Sequence, residues 1–413
     1  GQLNLPSSLT SIDNRAFSYC ISFTGGLTLP ESLNSIGAEV FLHCSGIDGK
    51  LDLKCNVTSI KRSTFEGCVK MTGDLNLPDQ ITEIGDNAFR SCSNLNGNLH
   101  LPTKLKTIGS NSFMQCSNLK GDLNIPEEVE SIGSQAFMSC SGFDGKIFIG
   151  SKVNEIGYGS FSSCSNLKGD LTLPNGLKTI PEQAFSSIGC EGKLTLPSEV
   201  ESIGSRAFQN SKFKETLDLP STLKSINNSA FLNCQFTGEL KLPTNLENID
   251  RRAFSDCLYF TGSLTIPSKI KSISYEAFGG CSGFDGELKL HEDIENIGDR
   301  SFYQCSNLKG SLTIPSKVTK IGYECFFNCS GFTGQLNLPS SLTSIGSRAF
   351  SNCVSLTGDL TLPESLIALG AEAFQHCSRI DGKLDLKCNV TSIKESTFEG
   401  CVKMTGDLNL PDQ

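Results

Sequence analysis

A repeating unit constrains the fold of this chain more than any other feature of its sequence. Its pattern is G-x-L-x-L-P-x-x-L-x-x-I-G-x-x-A-F-x-x-C-x-x-L-x, complete at residues 334–357. The phenylalanine of the unit recurs at a spacing of 24 from Phe17 to Phe398, except for three steps of 23 between Phe185 and Phe254. A fixed period of this length is the signature of a solenoid, in which each unit forms one coil. We therefore predict a repeat solenoid of the α/β class, a single domain over residues 1–413 with about 17 repeats.

A much longer repeat is superimposed on the short one. Residues 1–80 recur as residues 334–413 with 13 differences, which leaves 67 of the 80 positions identical. The offset between the two copies equals eleven units of 24 and three of 23. Neighbouring units are far less alike, so we infer that a long block has been duplicated. Because neither end carries the atypical unit that caps a solenoid, we expect an uncapped fragment of a longer protein.

Within one unit, the L-x-L-P segment alternates with period two, which predicts a short strand whose two apolar residues point inward. Stacked coils would place these strands in one continuous parallel sheet, and the proline would end each strand. The proline is replaced at Lys54, Gly150, His291 and Lys387. The glycine two residues before the strand indicates either a positive φ or a close backbone approach. The x-x-A-F-x-x-C segment predicts a short helical or 3₁₀ turn, with the phenylalanines stacked as a spine.

Fifteen of the 19 cysteines lie three residues after the repeat phenylalanine. We predict that they form a column of free, buried thiols, which pack as small hydrophobic groups. Disulfides between adjacent coils are the alternative, although the geometry of a disulfide fits the coil spacing poorly. Cysteines from successive coils would form a row and not a tetrahedron, so we expect no metal site.

Charge and motifs exclude several classes of function. The net charge of −9 argues against a nucleic acid partner and against an anionic membrane surface. No apolar run approaches the roughly 18 residues of a membrane span, so we expect no membrane insertion. The chain contains no H-E-x-x-H, G-x-S-x-G or P-loop motif, and its four histidines are scattered. We therefore expect no enzyme, no catalytic residues and no cofactor.

The pattern L-x-L-P-x-x-L-x-x-I-G-x-x-A-F-x-x-C-x-x-L resembles the BspA-type, or Treponema-type, leucine-rich repeat over the whole chain. Its 24-residue length, with Gly before the strand, is similar to BspA-like surface proteins of parasitic protists such as Trichomonas. The resemblance implies a right-handed leucine-rich repeat superhelix with the parallel sheet on its concave face and short 3₁₀ or helical turns outside. It also implies a non-enzymatic, extracellular cell-surface adhesin that binds host cells or matrix proteins such as fibronectin and fibrinogen.

Solenoids bind their ligands along the concave sheet, through the outward middle residues of the strands. In this chain most of these residues are small and polar, which suits hydrogen bonding to a protein or a glycan and equally suits a sheet that only remains soluble. The exception is Phe148, and exposed aromatic residues are favoured interface anchors. We predict a contact patch here, with a local side chain covering Phe148 as the alternative. The predicted ligand-binding residues are Asn124, Lys146, Phe148, Asp170 and Thr172.

Four N-x-S/T sequons predict glycosylation in a eukaryotic secretory pathway, at Asn56, Asn227, Asn328 and Asn389. The shortened units between Phe185 and Phe254 either shape a binding region or have returned to the commoner length, which is one residue shorter. Two other functions stay open. One is a structural stalk or surface coat without a specific ligand, which block duplication would lengthen. The other is an intracellular leucine-rich repeat scaffold, because free thiols suit a reducing cytosol.

Overall fold

A computed structural model describes residues 1–405 of the chain. Contacts divide it into two units, Gly1–Lys214 (unit 1) and Glu215–Gln413 (unit 2). In both units short strands of adjacent coils pair in parallel, and the described residues contain no helix. This arrangement confirms the predicted repeat solenoid, with one coil for each unit of the sequence pattern. The strand predicted at residues 408–410 lies outside the described residues.

Most coils contribute short strands to two columns. The first column contains the L-x-L strands: Leu27–Leu29, Leu51–Leu53, Leu75–Asn76, Leu99–His100, Leu123–Ile125, Ile147–Ile149, Leu171–Thr172 and Leu194–Thr195 in unit 1, and Leu264–Thr265, Leu288–Lys289, Leu360–Leu362 and Leu384–Leu386 in unit 2. The second column contains the x-I strands before the repeat glycine: Ser11–Ile12, Ser35–Ile36, Ser59–Ile60, Glu83–Ile84, Thr107–Ile108, Ser131–Ile132, Glu155–Ile156, Thr179–Ile180 and Ser202–Ile203 in unit 1, and Ser225–Ile226, Asn248–Ile249, Ser272–Ile273, Asn296–Ile297, Lys320–Ile321, Ser344–Ile345 and Ala368–Leu369 in unit 2. Two further strands, Gly238–Glu239 and Phe260–Thr261, pair with each other.

The x-I column, not the L-x-L column, forms the longest ladders. Five x-I strands lie side by side from Ser59–Ile60 to Glu155–Ile156, and five more from Ser272–Ile273 to Ala368–Leu369. The L-x-L strands pair only two at a time, as Leu123–Ile125 does with Ile147–Ile149. The structure therefore differs from the expected continuous sheet of L-x-L strands.

The x-x-A-F-x-x-C segment differs from the expected helical or 3₁₀ turn. The amide of Ala16 donates to the carbonyl of Asp13, three residues back, whereas the amide of Phe17 donates to the carbonyl of Val40 in the next coil. The residues two before and two after the phenylalanine have positive φ, 63° at Arg15 and 60° at Tyr19. A helix needs consecutive right-handed residues, so this alternation replaces it. Every second amide is thereby free to bond the next coil.

The repeat phenylalanines form a stack in each unit, which confirms the predicted spine. Successive ring centroids lie 5.1–5.6 Å apart from Phe17 to Phe208. In unit 2 they lie 5.3–5.9 Å apart from Phe231 to Phe398. The rings between the ends are fully buried. Each such ring contributes about 1.5–3 kcal/mol through burial, the largest apolar contribution in its coil.

The cysteines are free thiols, and 17 of the 19 are buried. In the repeat column the thiol donates a hydrogen bond to the carbonyl of an earlier repeat phenylalanine, as Cys116 does to Phe89 at 3.1 Å. Burial raises the pKa of the Cys116 thiol to about 12. The predicted column of free, buried thiols is therefore confirmed. The structure adds that most thiols of this column hydrogen-bond the carbonyl of an earlier repeat phenylalanine, as Cys140 does to Phe113 at 3.0 Å.

Candidate binding groove

In unit 1 the glycine that precedes the L-x-L strand alternates between two roles. Gly121 and Gly169 have positive φ, 75° and 76°, whereas Gly145 in the coil between them does not. A Cβ atom on Gly145 would lie 2.1 Å from Oδ1 of Asp122, so a close approach requires glycine there. The sequence left positive φ and close approach as alternatives, and successive coils of unit 1 use each of them in turn. In unit 2 the alternation is interrupted, because Gly310, Gly334 and Gly358 all have positive φ.

Two side-chain-to-backbone hydrogen bonds join the coil that contains Gly145 to the coil before it. Oδ1 of Asp122 accepts from the amide of Lys146 at 2.7 Å, and Oδ1 of Asp144 accepts from the amide of Gly121 at 2.9 Å. We refer to two coils joined by both bonds as a clamped pair. Further clamped pairs are formed by Asp74 with Asn98 and Asn96 with Gly73, by Ser263 with Glu287 and Asp285 with Gly262, and by Asp359 with Lys383 and Asp381 with Gly358.

The clamps explain why the L-x-L strands pair two at a time. The amide of Leu123 donates to the carbonyl of Lys146 at 2.8 Å, inside the clamped pair. Successive residues of a strand direct their backbone groups to opposite sides. The amide and carbonyl of Asn124 therefore point the other way, toward the coil that contains Leu99. This coil belongs to the preceding clamped pair.

A gap between the two clamped pairs leaves these backbone groups unpaired. Within residues 1–405, no backbone hydrogen bond joins Asn124 to Leu99 or Leu101. The two coils connect before the strands instead, where the amide of Lys120 donates to the carbonyl of Gly97 at 2.9 Å. Backbone donors and acceptors are consequently available at the floor of the gap.

A groove of about 480 Å³ opens at this gap. It lies on the side of unit 1 that carries the outward middle residues of the L-x-L strands, which we name the L-x-L face. Phe148 lines the groove with 50% of its surface exposed, so no neighbouring side chain covers it. The groove is also lined by His100, Thr103, Asn124, Pro126 and Glu127. It therefore combines an aromatic ring with several polar side chains.

Strand pairing holds Phe148 in place. Phe148 lies opposite Asn124 in a register that extends over three residues, as far as Ile125 opposite Ile149. The third residue pair of this register forms because Gly150 stands where most units have proline. The amide of Gly150 donates to the carbonyl of Ile125 at 3.1 Å. Proline has no amide hydrogen and could not make this bond. The departure from the repeat at Gly150 therefore rigidifies the strand that carries Phe148.

Glu127 is a fixed acceptor at the rim of the groove. Its Oε2 accepts hydrogen bonds from the hydroxyl and from the backbone amide of Ser151, both at 2.7 Å. These two bonds lower the pKa of the Glu127 carboxyl, so it is ionised at neutral pH. Because one oxygen is held by Ser151, the orientation of the carboxylate is set before any ligand arrives.

The structure brings together two of the five predicted ligand-binding residues, Asn124 and Phe148. Sequence reasoning missed Thr103 and Glu127, since they follow the strands of neighbouring coils and carry no local motif. The sequence indicated His100 as an irregularity in the outward column that favoured a binding role, but did not assign it to the contact patch. The signal was present, because His100 and Asn124 occupy the column of Phe148 two coils and one coil earlier.

The other three predicted residues lie on the opposite side of Phe148, outside the groove lining. The side chain of Lys146 extends over Gly169, where a Cβ would lie 3.6 Å from its Cγ. Oδ1 of Asp170 accepts from the amide of Lys193 at 2.8 Å, so it joins coils. Thr172 is exposed on the strand Leu171–Thr172. These three residues remain predictions for a ligand that extends beyond the groove.

The predicted glycosylation sites differ in exposure. Asn56 and Asn389 are exposed, and their Nδ2 atoms donate to backbone carbonyls of the preceding coil at 2.7 and 2.8 Å. Asn227 and Asn328 are half-buried. Glycosylation of all four stays a prediction.

Metal ligands do not cluster in the described part of the chain. Among residues 1–405, no three His, Cys, Asp or Glu side chains come together in a group that could hold an ion. The same residues include no helix with the length and apolarity that crossing a membrane requires.

The paired coils, the two strand columns and the phenylalanine stack define a leucine-rich repeat solenoid. The BspA type leucine-rich repeat region matches the sequence in six overlapping copies, at residues 1–97, 49–168, 94–214, 169–285, 212–333 and 286–405. The chain belongs to the BspA-type leucine-rich repeat family. A comparison with curated proteins found no match.

Solved structures of bacterial leucine-rich repeat proteins are similar to this one. A leucine-rich repeat protein from Bacteroides ovatus shares 23% identity with a TM-score of 0.54, over 94% of this chain and 88% of that chain. A leucine-rich cell surface protein from Faecalibacterium prausnitzii shares 20% identity with a TM-score of 0.48, over 85% and 93% of the two chains. The leucine-rich repeat protein of T. pallidum shares 25% identity with a TM-score of 0.29, over 49% and 72%. The Bacteroides structure supports the fold alone.

Proposed function

We propose that this chain is a non-enzymatic, cell-surface binding module, an adhesin that attaches to host cells or their extracellular matrix through the L-x-L face of unit 1. The observation that carries the proposal is Phe148, a half-exposed aromatic residue in a column of polar residues. Exposed apolar groups beside a groove mark interaction sites, and buried aromatic anchors dominate many interfaces. Membership of the BspA-type family supports the surface location, because that resemblance implies surface display.

The groove is preorganised for binding. The backbone of Phe148 is fixed by three-residue strand pairing, and the carboxylate of Glu127 is fixed by Ser151. A ligand that binds such a rigid surface avoids much of the entropy cost of ordering side chains. This rigidity supports a binding role for a groove that is only about 480 Å³ in volume.

The test measures binding of the purified chain to intact epithelial cells and to immobilised fibronectin and fibrinogen. We expect saturable binding to cells or matrix, and a loss of at least about tenfold in affinity for Phe148→Ala, as for an interface hot spot. Ile367→Ala is the matched control, because Ile367 is also exposed (65%) but lies directly before the x-I strand Ala368–Leu369 of unit 2. Equal binding by the wild type and Phe148→Ala would contradict the assignment of the site.

A structural stalk is the second candidate. The observation in its favour is the uniformity of the buried columns within each unit, together with the duplicated block that has 67 of 80 positions identical. A stalk needs coils and no ligand. This candidate predicts no saturable binding to cells or matrix from a chain whose circular dichroism confirms folding.

A further inference from the structure

We propose that the ligand of the groove is a neutral, linear carbohydrate chain that runs along the L-x-L face of unit 1 and stacks one sugar ring on Phe148. The inference rests on the proposed function and names the chemistry of the ligand. Its support comes from the hydrogen-bonding groups, the aromatic ring, the charge and the spacing of the grooves.

The polar groups of the groove match hydroxyl groups. The unpaired backbone groups of Leu99, Leu101 and Asn124 supply both donors and acceptors along the floor. The side-chain amide of Asn124 also donates and accepts, and the carboxylate of Glu127 accepts. A hydroxyl group donates one hydrogen bond and accepts others, so it can satisfy such mixed neighbours. A ligand rich in hydroxyl groups therefore fits the groove.

Phe148 supplies the apolar part of the site. Its exposed ring stands beside Asn124 on the paired strand, so polar and apolar contacts lie next to each other. A sugar ring has an apolar face of C–H groups. The partial positive charges on these hydrogens favour contact with the negative face of an aromatic ring. One ring stacked on Phe148 would place its hydroxyl groups toward Asn124 and the groove floor.

The charge of the lining favours a neutral ligand. Glu127 is ionised in the groove beside Phe148. A second groove of about 430 Å³ on the same face extends over the strands Leu27–Leu29, Leu51–Leu53 and Leu75–Asn76 and is lined by Asp52 and Asp74, with Lys50 as the one cation of its lining. Asp52 pairs with Lys54 at 3.4 Å, so Glu127 and Asp74 are the carboxylates that would repel sulfated or uronic acid polymers. Polyanionic glycans are therefore disfavoured.

The spacing of the grooves favours a linear chain. Both grooves lie at gaps between L-x-L pairs, and these gaps recur every second coil. Two strand spacings amount to about 9.6 Å, so sugars in an extended chain would meet successive gaps. Several weak contacts along one ligand combine into much tighter binding. A peptide that bound as an added strand would use the same unpaired backbone groups, and the protease treatment described below distinguishes it from a carbohydrate.

The experiment is native gel electrophoresis of the full chain in gels that contain a soluble β-1,3-glucan, a xylan or heparin. We expect at least one neutral polymer to retard the wild type and heparin to leave it unaffected. Phe148→Ala and Phe148→Leu should lose at least about tenfold in affinity, because leucine keeps apolar area and lacks the ring, whereas Phe148→Tyr should keep binding. Ile367→Ala should behave as the wild type.

The second measurement is binding to epithelial cells after mild periodate oxidation, which destroys vicinal diols of sugars, or after protease treatment. The carbohydrate proposal expects binding to be lost after periodate and kept after protease. Cell binding that depends on Phe148 but survives periodate would overturn the carbohydrate ligand and leave the adhesin proposal intact. Retardation by heparin alone would also overturn it. Absence of cell binding from a folded chain would overturn both proposals.

Discussion

Asp122 and Lys146 belong to adjacent coils, and Oδ1 of Asp122 accepts a hydrogen bond from the amide of Lys146 at 2.7 Å. With the return bond from the amide of Gly121 to Asp144, this contact makes two coils the structural unit. The repeat of the structure is consequently twice as long as the repeat of the sequence wherever clamped pairs follow one another.

The duplicated block preserves this two-coil alternation. Its two copies are offset by 14 coils, an even number. Gly25 and Gly358, the same position in the two copies, both have positive φ, 77° and 81°. Gly49 and Gly382, one coil later, do not. The clamp itself differs between the copies, because Gly26 stands in the first copy where Asp359 accepts from the amide of Lys383 in the second.

The two kinds of glycine predict two different costs of substitution. Gly169→Ala should lower the free energy of unfolding by about 1–2 kcal/mol, because its φ of 76° is strained for alanine. Its new methyl group would meet only the flexible side chain of Lys146. Gly145→Ala should cost more, because the Cβ would collide with Asp122 at both Oδ1 (2.1 Å) and the backbone nitrogen (2.8 Å). Urea denaturation compares the two variants. Asp122→Ala should relieve part of the Gly145→Ala defect, and equal costs for the two glycines would contradict the alternation.

Two phenylalanines separate stability from binding. Phe137→Ala should destabilise the protein by about 3–5 kcal/mol, because the ring is fully buried between Phe113 and Phe161. Phe148→Ala should change stability by less than about 0.5 kcal/mol, as for other exposed positions. Because solenoids can unfold in parts, the measurement is hydrogen exchange of the coils around each residue together with the urea midpoint. A large loss of protection in Phe148→Ala would mean that the residue is structural.

Alkaline pH should destabilise the protein through its buried thiols. Burial raises the pKa of Cys116, Cys164 and Cys353 to about 12 in the folded state, against an ordinary thiol value of 9.0. Below the pKa of the unfolded state, these thiols are protonated in both the folded and the unfolded protein, so the full stability of the folded state is present. Above it the unfolded state ionises first, and stability falls by about 1.4 kcal/mol per pH unit for each thiol until the folded pKa is reached. Urea midpoints at pH 7.5, 9 and 10 check this decline.

Replacing thiols provides the control for that measurement. Cys116→Ser keeps the hydrogen bond donor toward Phe89 and does not ionise in this range. The variant should lose stability at pH 7.5, because a hydroxyl is more costly to bury than a thiol. The stability difference from the wild type should narrow as the pH rises above 9. A constant difference at every pH would show that ionisation of Cys116 does not contribute.

An ionic ladder predicts acid sensitivity in unit 2. Its charges alternate along one column, in the order Arg252, Glu276, Arg300, Glu324, Arg348 and Glu372. Burial acts to raise the pKa of the Glu276 carboxyl, but the hydrogen bonds that it accepts from Arg252 and Tyr275 outweigh this effect. The pKa of Glu276 is therefore lower than its ordinary value. The stabilisation from this carboxylate is present above its unfolded pKa of 4.5 and is lost as the pH falls through its lower, folded pKa.

Glu276→Gln tests the ladder. The variant should lose about 1–3 kcal/mol at pH 7, because charged hydrogen bonds to a nearly buried group are broken. The difference from the wild type should shrink in acid. Glu287→Gln is the control, since its pair with Lys289 is exposed and should contribute less than about 1 kcal/mol. Thermal or urea unfolding from pH 3 to pH 7 measures both variants, and equal losses at pH 7 would refute the role of the ladder.

Two residues of the candidate site, Phe148 and Asn124, were predictable from the sequence. Phe148 stood out because it interrupts a column of polar residues, and Asn124 is its neighbour one period earlier. The groove itself was not predictable, because its other walls come from His100 and Glu127, which become neighbours only when coils stack. Lys146 and Asp170 were assigned to the patch because outward strand-flanking positions look alike in one coil, whereas the structure directs them to the next coil.

The sequence alone determined the coil, its inward leucines and isoleucines, the phenylalanine stack and the thiol column. Each of these follows from burial of the same residue type at the same position in every unit, which the period displays directly. Only the tertiary structure decided which coils pair, which glycines take a positive φ and where the groove opens. The physical reason is that the G-x-L-x-L segment can adopt either backbone conformation at similar local cost. Hydrogen bonds that aspartates accept from backbone amides of the adjacent coil, as Oδ1 of Asp122 does from Lys146, stabilise one of the two conformations.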